Sequence, residues 1–85
     1  MTSHILVIDD EESLRFTLET FLQDEGYMVS TAASFPEAEE LLKQSAFDLI
    51  FLDIQLGRHS GLDLLKIVRE NFANCPVVID RKSVV

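Results

Sequence analysis

Three aspartates lie at the ends of two short apolar segments. Asp9 and Asp10 follow the apolar residues 5–8, and Asp53 follows the apolar residues 49–52. If these segments are neighbouring parallel strands, the carboxylates meet at the carboxyl edge of the sheet, where open α/β sheets bind ligands. Their mutual repulsion would be costly unless a cation shared them. The pattern therefore indicates a hard divalent cation, above all Mg²⁺, which commonly takes one or two carboxylates.

The same residues indicate phosphoryl chemistry. Mg²⁺ readily accepts a phosphate oxygen as a further ligand, so a phosphoryl group is the expected guest, with Asp53 as the nucleophile that forms an aspartyl phosphate. A structural alternative stays open for Asp9 and Asp10, because an acidic pair after a strand commonly caps the next helix. A magnesium phosphohydrolase is a weaker alternative, since such enzymes typically carry a second acid where this chain has Gln55.

Composition limits the classes of protein to consider. The 85 residues suffice for one small domain, and an apolar fraction of 47% predicts a folded core. The net charge of −8 has the wrong sign for binding nucleic acid or anionic lipid. The single cysteine, Cys75, forms no internal disulfide, and no segment approaches the roughly 18 apolar residues of a membrane span. We therefore expect a cytoplasmic protein with no direct nucleic-acid partner and no membrane contact.

Apolar periodicity predicts strands that alternate with helices. The predicted strands are residues 5–8, 27–32, 49–52 and 76–79, and the predicted helices are residues 12–25, 35–45 and 62–72. Acidic residues 10–12 are expected to cap the first helix and Gly26 to end it. Residues 34–37 (SFPE) form a capping box at the start of the second helix. The alternation predicts parallel βαβ units in an α/β layer fold.

The remaining histidines, cysteine and phenylalanines are expected to be structural. His4 and His59 should lie at a strand end and in a loop, rather than act as metal ligands, and Cys75 should be inert at the start of a strand. The phenylalanines expected to pack in or near the core are Phe16, Phe35, Phe47, Phe51 and Phe72. None of these residues is expected to carry chemistry.

The chain resembles the receiver domains of two-component response regulators, from residue 4 to about residue 79. The resemblance rests on residues 5–11 (ILVIDDE), residues 48–56 (DLIFLDIQL) and the pair Gly61-Leu62. It implies a flavodoxin-like, or CheY-like, doubly wound parallel α/β sheet. The family's strand order is 2-1-3-4-5, so a sheet that stops after the fourth strand would have the order 2-1-3-4.

The resemblance also implies roles for the site residues. Asp53 looks like the phosphoacceptor and a metal ligand, Asp10 like a direct Mg²⁺ ligand, and Asp9 like a ligand through water. The backbone carbonyl of Gln55 would be a further ligand, and its side chain would influence hydrolysis of the aspartyl phosphate. A sensor histidine kinase is the implied phosphodonor. The chain is expected to be a phosphoacceptor module with slow autodephosphorylation rather than an enzyme, and to regulate transcription within a longer parent protein.

Two polar residues of the family are not recognisable: a Ser or Thr after the fourth strand and a Lys after the fifth. The hydroxyl position falls near Arg81, Ser83 comes two residues late, and Lys82 comes far too early. We therefore expect an incomplete receiver domain over residues 1–79, without the family's fourth helix, fifth strand and fifth helix. Residues 80–85 would form an atypical tail.

An incomplete receiver would leave apolar surface without a neighbour. The first helix would keep an open apolar stripe and the fourth strand would be a sheet edge, and both features favour association. We expect a chain that is unstable alone or forms a homodimer or larger assembly. The alternative function is accordingly a receiver fragment that no longer switches and acts through oligomerisation or protein interaction.

Overall fold

The apolar segments of the sequence become the strands of one parallel sheet in the computed structural model, which describes residues 2–53, 55–56, 59–71 and 75–80. The strands are β1 (His4–Ile8), β2 (Met28–Ala32), β3 (Leu49–Asp53), β4 (Gln55–Leu56), β5 (His59–Ser60) and β6 (Val77–Asp80). The helices are α1 (Glu12–Asp24), α2 (Phe35–Gln44) and α3 (Gly61–Asn71). The main sheet has the order β2-β1-β3-β6, which confirms the predicted order 2-1-3-4.

The register of the sheet determines which residues share its carboxyl edge. β1 pairs in parallel with β2 on one side and with β3 on the other. Ile8, the last residue of β1, lies beside Ala32 of β2 and Leu52 of β3. The residues that follow Ile8 and Leu52 are Asp9 and Asp53, and they therefore lie side by side at the carboxyl edge of the sheet.

Helices cover both faces of the sheet, as expected for buried parallel strands. Leu6 and Ile8 point to the face where α2 and α3 pack, while Ile5 and Val7 alternate to the opposite face, beside α1. The buried core on the first face consists of Leu6, Ile8, Ala32, Ala38, Leu42, Phe47, Ile50, Leu52 and Val68. This core holds β1 and β3 rigidly beneath the carboxyl edge.

The start of α1 differs in detail from the prediction. Glu12 supplies the expected acidic charge in the first turn, but the N-cap residue is Glu11, whose side chain makes no capping hydrogen bond. Instead, the amide nitrogen of Glu11 donates to Oδ1 of Asp9 over 2.8 Å. The side chain that accepts a hydrogen bond at the start of α1 is therefore that of Asp9, which was not among the predicted capping residues 10–12. Gly26 follows the helix with φ of 96°, which confirms it as the stop, because this left-handed conformation favours glycine.

The start of α2 confirms the predicted capping box. Ser34 is the N-cap residue, and its hydroxyl oxygen accepts a hydrogen bond from the amide of Glu37 over 3.4 Å. The carboxylate of Glu37 accepts in return from the amide of Ala33 over 2.8 Å, and Pro36 lies in the first turn. These contacts fix the point at which the chain leaves β2.

Two expectations for the surface were wrong. Phe16 is 67% exposed rather than packed, because α1 meets the sheet through the half-buried Leu14, Leu18 and Leu22, and residue 16 lies on another side of the helix. His59, expected in a loop, lies in β5, which pairs antiparallel with β4. Phe72 lies outside the described residues.

The described helices are short and amphipathic, with 13, 10 and 11 residues. None of those in the described ranges is long and apolar enough to cross a membrane. β6 continues through Asp80, and residues 81–85 of the predicted tail lie outside the described residues. The division at residue 79 stays a prediction.

Candidate functional site

Asp9, Asp10 and Asp53 lie together at the carboxyl edge of the main sheet. One carboxylate oxygen from each residue lies within 4.8 Å of the corresponding oxygens of the other two. Asp9 and Asp53 are completely buried, whereas Asp10 is exposed. This carboxylate cluster therefore has two acids in the protein interior and a third at its solvent-facing side.

Asp9 is fixed through its backbone as well as its side chain. Its amide nitrogen donates to the carbonyl oxygen of Ala32 over 3.1 Å, which extends the pairing of β1 with β2 by one residue. Its Oδ1 accepts from the amide of Glu11, and its carbonyl oxygen accepts from Nη1 of Arg15, each over 2.8 Å. Arg15 is not among the residues that the sequence motifs predict for the site. The sequence signal that could have indicated its role is a basic residue one turn into a predicted helix, shortly after a pair of acids.

Asp53 is the last residue of β3 and is completely buried. In the register of the sheet, Asp53 lies beside Asp80, the last residue of β6, although the sequence pattern predicts Asp80 in the tail. Gln55 begins β4 two residues after Asp53, and the role of its backbone carbonyl as a metal ligand stays a prediction. The residues weighed for the family's switch positions, Arg81, Lys82 and Ser83, lie outside the described residues.

The carboxylate cluster fits a hard divalent cation. Two buried negative charges within 4.8 Å of each other repel by about 3 kcal/mol or more at an effective dielectric constant of about 20. A shared cation would turn this repulsion into attraction. Because all three donors are carboxylate oxygens, the cluster suits Mg²⁺ or Ca²⁺ better than the softer metals that prefer nitrogen or sulfur ligands.

His4 has a structural role at the opposite, amino edge of the sheet. Its backbone exchanges two hydrogen bonds of 2.8 Å with Asp48, one to the carboxylate and one from the amide. Its Nε2 lies 2.8 Å from the hydroxyl of Ser30, and its ring packs against Phe47 at a centroid distance of 4.5 Å. His4 thus ties the start of β1 to β2 and to the segment that leads into β3.

Cys75 is held as a protonated thiol near the same edge. Its Sγ–H donates to the carbonyl oxygen of Phe47 over 3.3 Å. Burial raises the pKa of the Cys75 thiol, and the negative charge of Asp48 raises this pKa further. Since the thiolate is the reactive form, these conditions oppose nucleophilic chemistry at Cys75.

A doubly wound parallel sheet that gathers carboxylates at its carboxyl edge defines a class of α/β proteins that bind a cation and its ligands at that edge. A sequence model of the response regulator receiver domain matches residues 5–80. The chain therefore belongs to the response regulator receiver domain family, as the motifs around Asp9 and Asp53 predict.

Curated relatives are transcriptional regulators of greater length. The alginate biosynthesis transcriptional regulatory protein AlgB of Pseudomonas aeruginosa is 51% identical over 65 residues, which are 76% of this chain and 14% of AlgB. The TorCAD operon transcriptional regulatory protein TorR of Escherichia coli is 37% identical over 70 residues, which are 82% of this chain and 30% of TorR. The chain thus spans less than a third of each of these two relatives.

Solved structures share the fold. The chemotaxis response regulator CheY4 of Vibrio cholerae superposes with a TM-score of 0.89 at 31% identity, over 93% of this chain and 68% of CheY4. The response regulator TrrA of Thermotoga maritima, in complex with Mg²⁺ and BeF, has a TM-score of 0.86 at 33% identity, over 95% of this chain and 70% of TrrA. These similarities confirm the predicted flavodoxin-like, CheY-like fold.

Proposed function

We propose that Asp53 is the phosphoacceptor of this receiver domain. The observation that carries the proposal is the position of the Asp53 carboxylate, buried at the end of β3 and within 4.8 Å of carboxylate oxygens of Asp9 and Asp10. An isolated buried aspartate would be a poor site for a phosphoryl group. A carboxylate beside two further acids shares a cation site, and the cation offsets the charge of the incoming phosphoryl oxygens.

Asp9, Asp10 and Asp53 would hold Mg²⁺, with the backbone carbonyl of Gln55 as a further ligand. Bound Mg²⁺ supplies neutralisation of the negative charge on the transferring phosphoryl group. The all-oxygen donor set supports this assignment, as does the similarity to TrrA, whose structure is a complex with Mg²⁺ and BeF.

The proposed reaction moves one phosphoryl group onto Asp53. A carboxylate oxygen of Asp53 attacks the phosphorus atom and forms an O–P bond. In the donor, a phosphohistidine of a sensor histidine kinase, the P–N bond breaks and its electron pair stays with the imidazole. Because Asp53 is completely buried, the donor reaches it only after groups at this edge of the sheet move apart. Exposed Asp10 marks the side from which the donor approaches.

The wider role follows from the longer relatives. AlgB and TorR are named as transcriptional regulatory proteins, so we propose that this receiver regulates transcription as part of a longer parent protein. Within that parent it would act as a phosphoacceptor module and not as an independent enzyme. The single cysteine supports a reducing compartment, and we place the reaction in the cytoplasm.

Phosphoryl transfer from acetyl phosphate to the 85-residue chain tests the assignment of Asp53. With Mg²⁺ present, intact-mass spectrometry should show one added phosphoryl group in the wild-type chain and none in Asp53→Asn. Asp63→Asn, which removes an exposed carboxylate from α3, is the matched control and should be labelled like the wild type. A folded Asp53→Asn variant that still gains the phosphoryl group would refute the assignment, and so would a folded wild-type chain that gains none.

Exposed apolar side chains favour self-assembly as a second function. Phe16 and Phe21 of α1 and Val78 and Ile79 of β6 are exposed, and no described residue covers them. We propose that a second copy of the chain covers part of this surface in a homodimer or larger assembly. If assembly occurs without any response to Mg²⁺ or phosphodonor, the chain acts as an interaction module that does not switch.

A further inference from the structure

We infer that Arg15 is a positioning residue for the cation site, because it holds the corner of the chain that presents Asp9 and Asp10. This corner, residues 9–11, joins β1 to α1. The inference deepens the proposed function, since it concerns the affinity of the carboxylate cluster for a cation. Its first test, however, needs no cation.

Arg15 is hydrogen-bonded to both ends of the corner. Its guanidinium Nη1 donates to the carbonyl oxygen of Asp9 over 2.8 Å, and its backbone amide donates to the carbonyl oxygen of Glu11 over 3.1 Å. Asp10 lies between these two anchored residues. The bond to Glu11 belongs to the helix backbone, whereas the half-buried Arg15 side chain adds the link from Asp9 to the first turns of α1.

The backbone of the corner helps to set the position of Asp10. Asp9 and Asp53 are completely buried, so packing restricts their side chains, whereas Asp10 is exposed. Asp10 lies between Asp9 and Glu11, so the backbone path of the corner helps to keep its carboxylate within 4.8 Å of the other two. A site whose geometry is fixed before binding loses less conformational entropy when the ligand binds. Arg15 supplies part of that order.

The charge of Arg15 acts in the opposite direction. A guanidinium near a cation site repels the cation, so removal of Arg15 would strengthen Mg²⁺ binding if charge were its main contribution. Glu12 and Glu19 line the same surface groove as Arg15, and lie three residues before it and four residues after it on α1. At these spacings the two glutamates lie on the same side of α1 as Arg15, so their charge reduces the positive potential that the guanidinium adds there. We therefore expect the hydrogen bond to Asp9 to outweigh the charge of Arg15 in its effect on Mg²⁺ affinity. Weaker Mg²⁺ binding without Arg15 indicates the positioning role, and tighter binding indicates the charge.

Backbone dynamics of the metal-free protein provide the first test. In the 85-residue chain, ¹⁵N order parameters of Asp10 and Glu11 should be near the rigid value of about 0.85 and should fall in Arg15→Met. Arg15→Lys, which keeps the charge and a donor, should largely restore them. Arg69→Met makes the same change at an exposed position of α3 and should leave the corner unaltered. Unchanged order parameters in a folded Arg15→Met variant would overturn the inference, whatever the protein binds.

Calorimetric titration with Mg²⁺ provides the second test. Arg15→Met should weaken Mg²⁺ binding at least about fivefold, the factor that loss of a hydrogen bond of ordinary strength would produce. Arg15→Lys should bind within about twofold of the wild type, because it conserves the interaction in part. Tighter binding by Arg15→Met would show that Arg15 acts mainly through its charge, and equal binding would show that it makes no net contribution. Either result would overturn the positioning role.

The two tests separate failure of this inference from failure of the proposed function. If the folded wild-type chain does not bind Mg²⁺, the proposed metal site is wrong, and the order parameters alone decide whether Arg15 fixes the corner. If Arg15→Met does not fold, Arg15→Gln replaces it, because glutamine suits a helix and is too short to keep the same contact with Asp9. The same reduction in order and affinity is then expected, and its absence counts equally against the inference.

Discussion

Asp10 and Asp53 contribute to one carboxylate cluster from different environments, so their substitution should have different consequences. Asp53 is completely buried, and a change there alters both the chemistry and the interior of the sheet. Asp10 is exposed, so its loss should affect cation binding with little cost to folding. Removal of one of three adjacent negative charges also relieves repulsion in the metal-free protein.

We therefore expect Asp10→Asn to weaken Mg²⁺ binding by about tenfold or more, since even outer-shell substitutions at metal sites commonly cost about that factor. The melting temperature without Mg²⁺ should be unchanged or higher. Calorimetric titration and thermal unfolding monitored by circular dichroism measure the two effects. Asp63→Asn is again the control, and wild-type Mg²⁺ affinity in Asp10→Asn would exclude this residue as a ligand.

Cys75 gives the stability of the fold a pH dependence in the alkaline range. Its pKa is raised by burial and then by the charge of Asp48, so the folded chain holds the thiol proton more tightly than the unfolded chain does. This contribution is fully present below the unfolded thiol pKa of about 8.5 and is lost as pH rises through the higher folded-state value. Stability should therefore fall above about pH 9.

Thermal unfolding between about pH 7 and about pH 10.5 checks this expectation, with Cys75→Ala as the comparison. The advantage of the wild-type chain over Cys75→Ala should shrink as pH rises through this range. Asp48→Asn should reduce the loss of stability between neutral and alkaline pH, because it removes the second cause of the raised Cys75 pKa. Parallel pH profiles for the wild type and Cys75→Ala would show that the thiol makes no such contribution.

At the scale of secondary structure, the sequence determines the strands that carry the site. The apolar residues 5–8 and 49–52 form most of β1 and β3, and an aspartate follows each of them, so both strands and their ends can be predicted from the sequence. Once these two strands are assumed to pair in parallel, the proximity of Asp9 and Asp53 can be predicted from the sequence alone. The capping box at residues 34–37 is equally predictable, because its contacts are local in sequence.

Other features of the helices and strands depend on tertiary geometry, which the apolar periodicity of the sequence does not specify. The hydrogen bond from Arg15 to Asp9 requires a particular path through the corner after β1, and a helical pattern specifies only that residue 15 is in the first turns of α1. The exposure of Phe16 depends on which side of α1 meets the sheet. Asp80 was assigned to a tail because its charge ends an apolar run, although the backbone of β6 continues pairing through it.

At the scale of the whole molecule, apolar surface and net charge have opposing effects on association. Phe16 is 67% exposed and Phe21 is 59% exposed, and burial of such side chains between two copies would be favourable. Each copy carries a net charge of −8, so two copies repel. Salt shortens the range of this repulsion from about 30 Å at 0.01 M to about 10 Å at 0.1 M and leaves apolar contacts intact.

We therefore expect the 85-residue chain to associate more strongly as the salt concentration rises, in contrast to an assembly held by salt bridges. Light scattering at fixed protein concentration, from about 0.01 M to about 0.5 M NaCl, should show an increasing average mass. Phe21→Gln should reduce this increase because it removes exposed apolar area, whereas Gln23→Ser, an exposed polar change on the same helix, should not. A chain that stays monomeric at every salt concentration would remove the support for assembly. A mass that falls with salt would instead indicate that charged contacts hold the copies together, and α1 would not be the surface responsible.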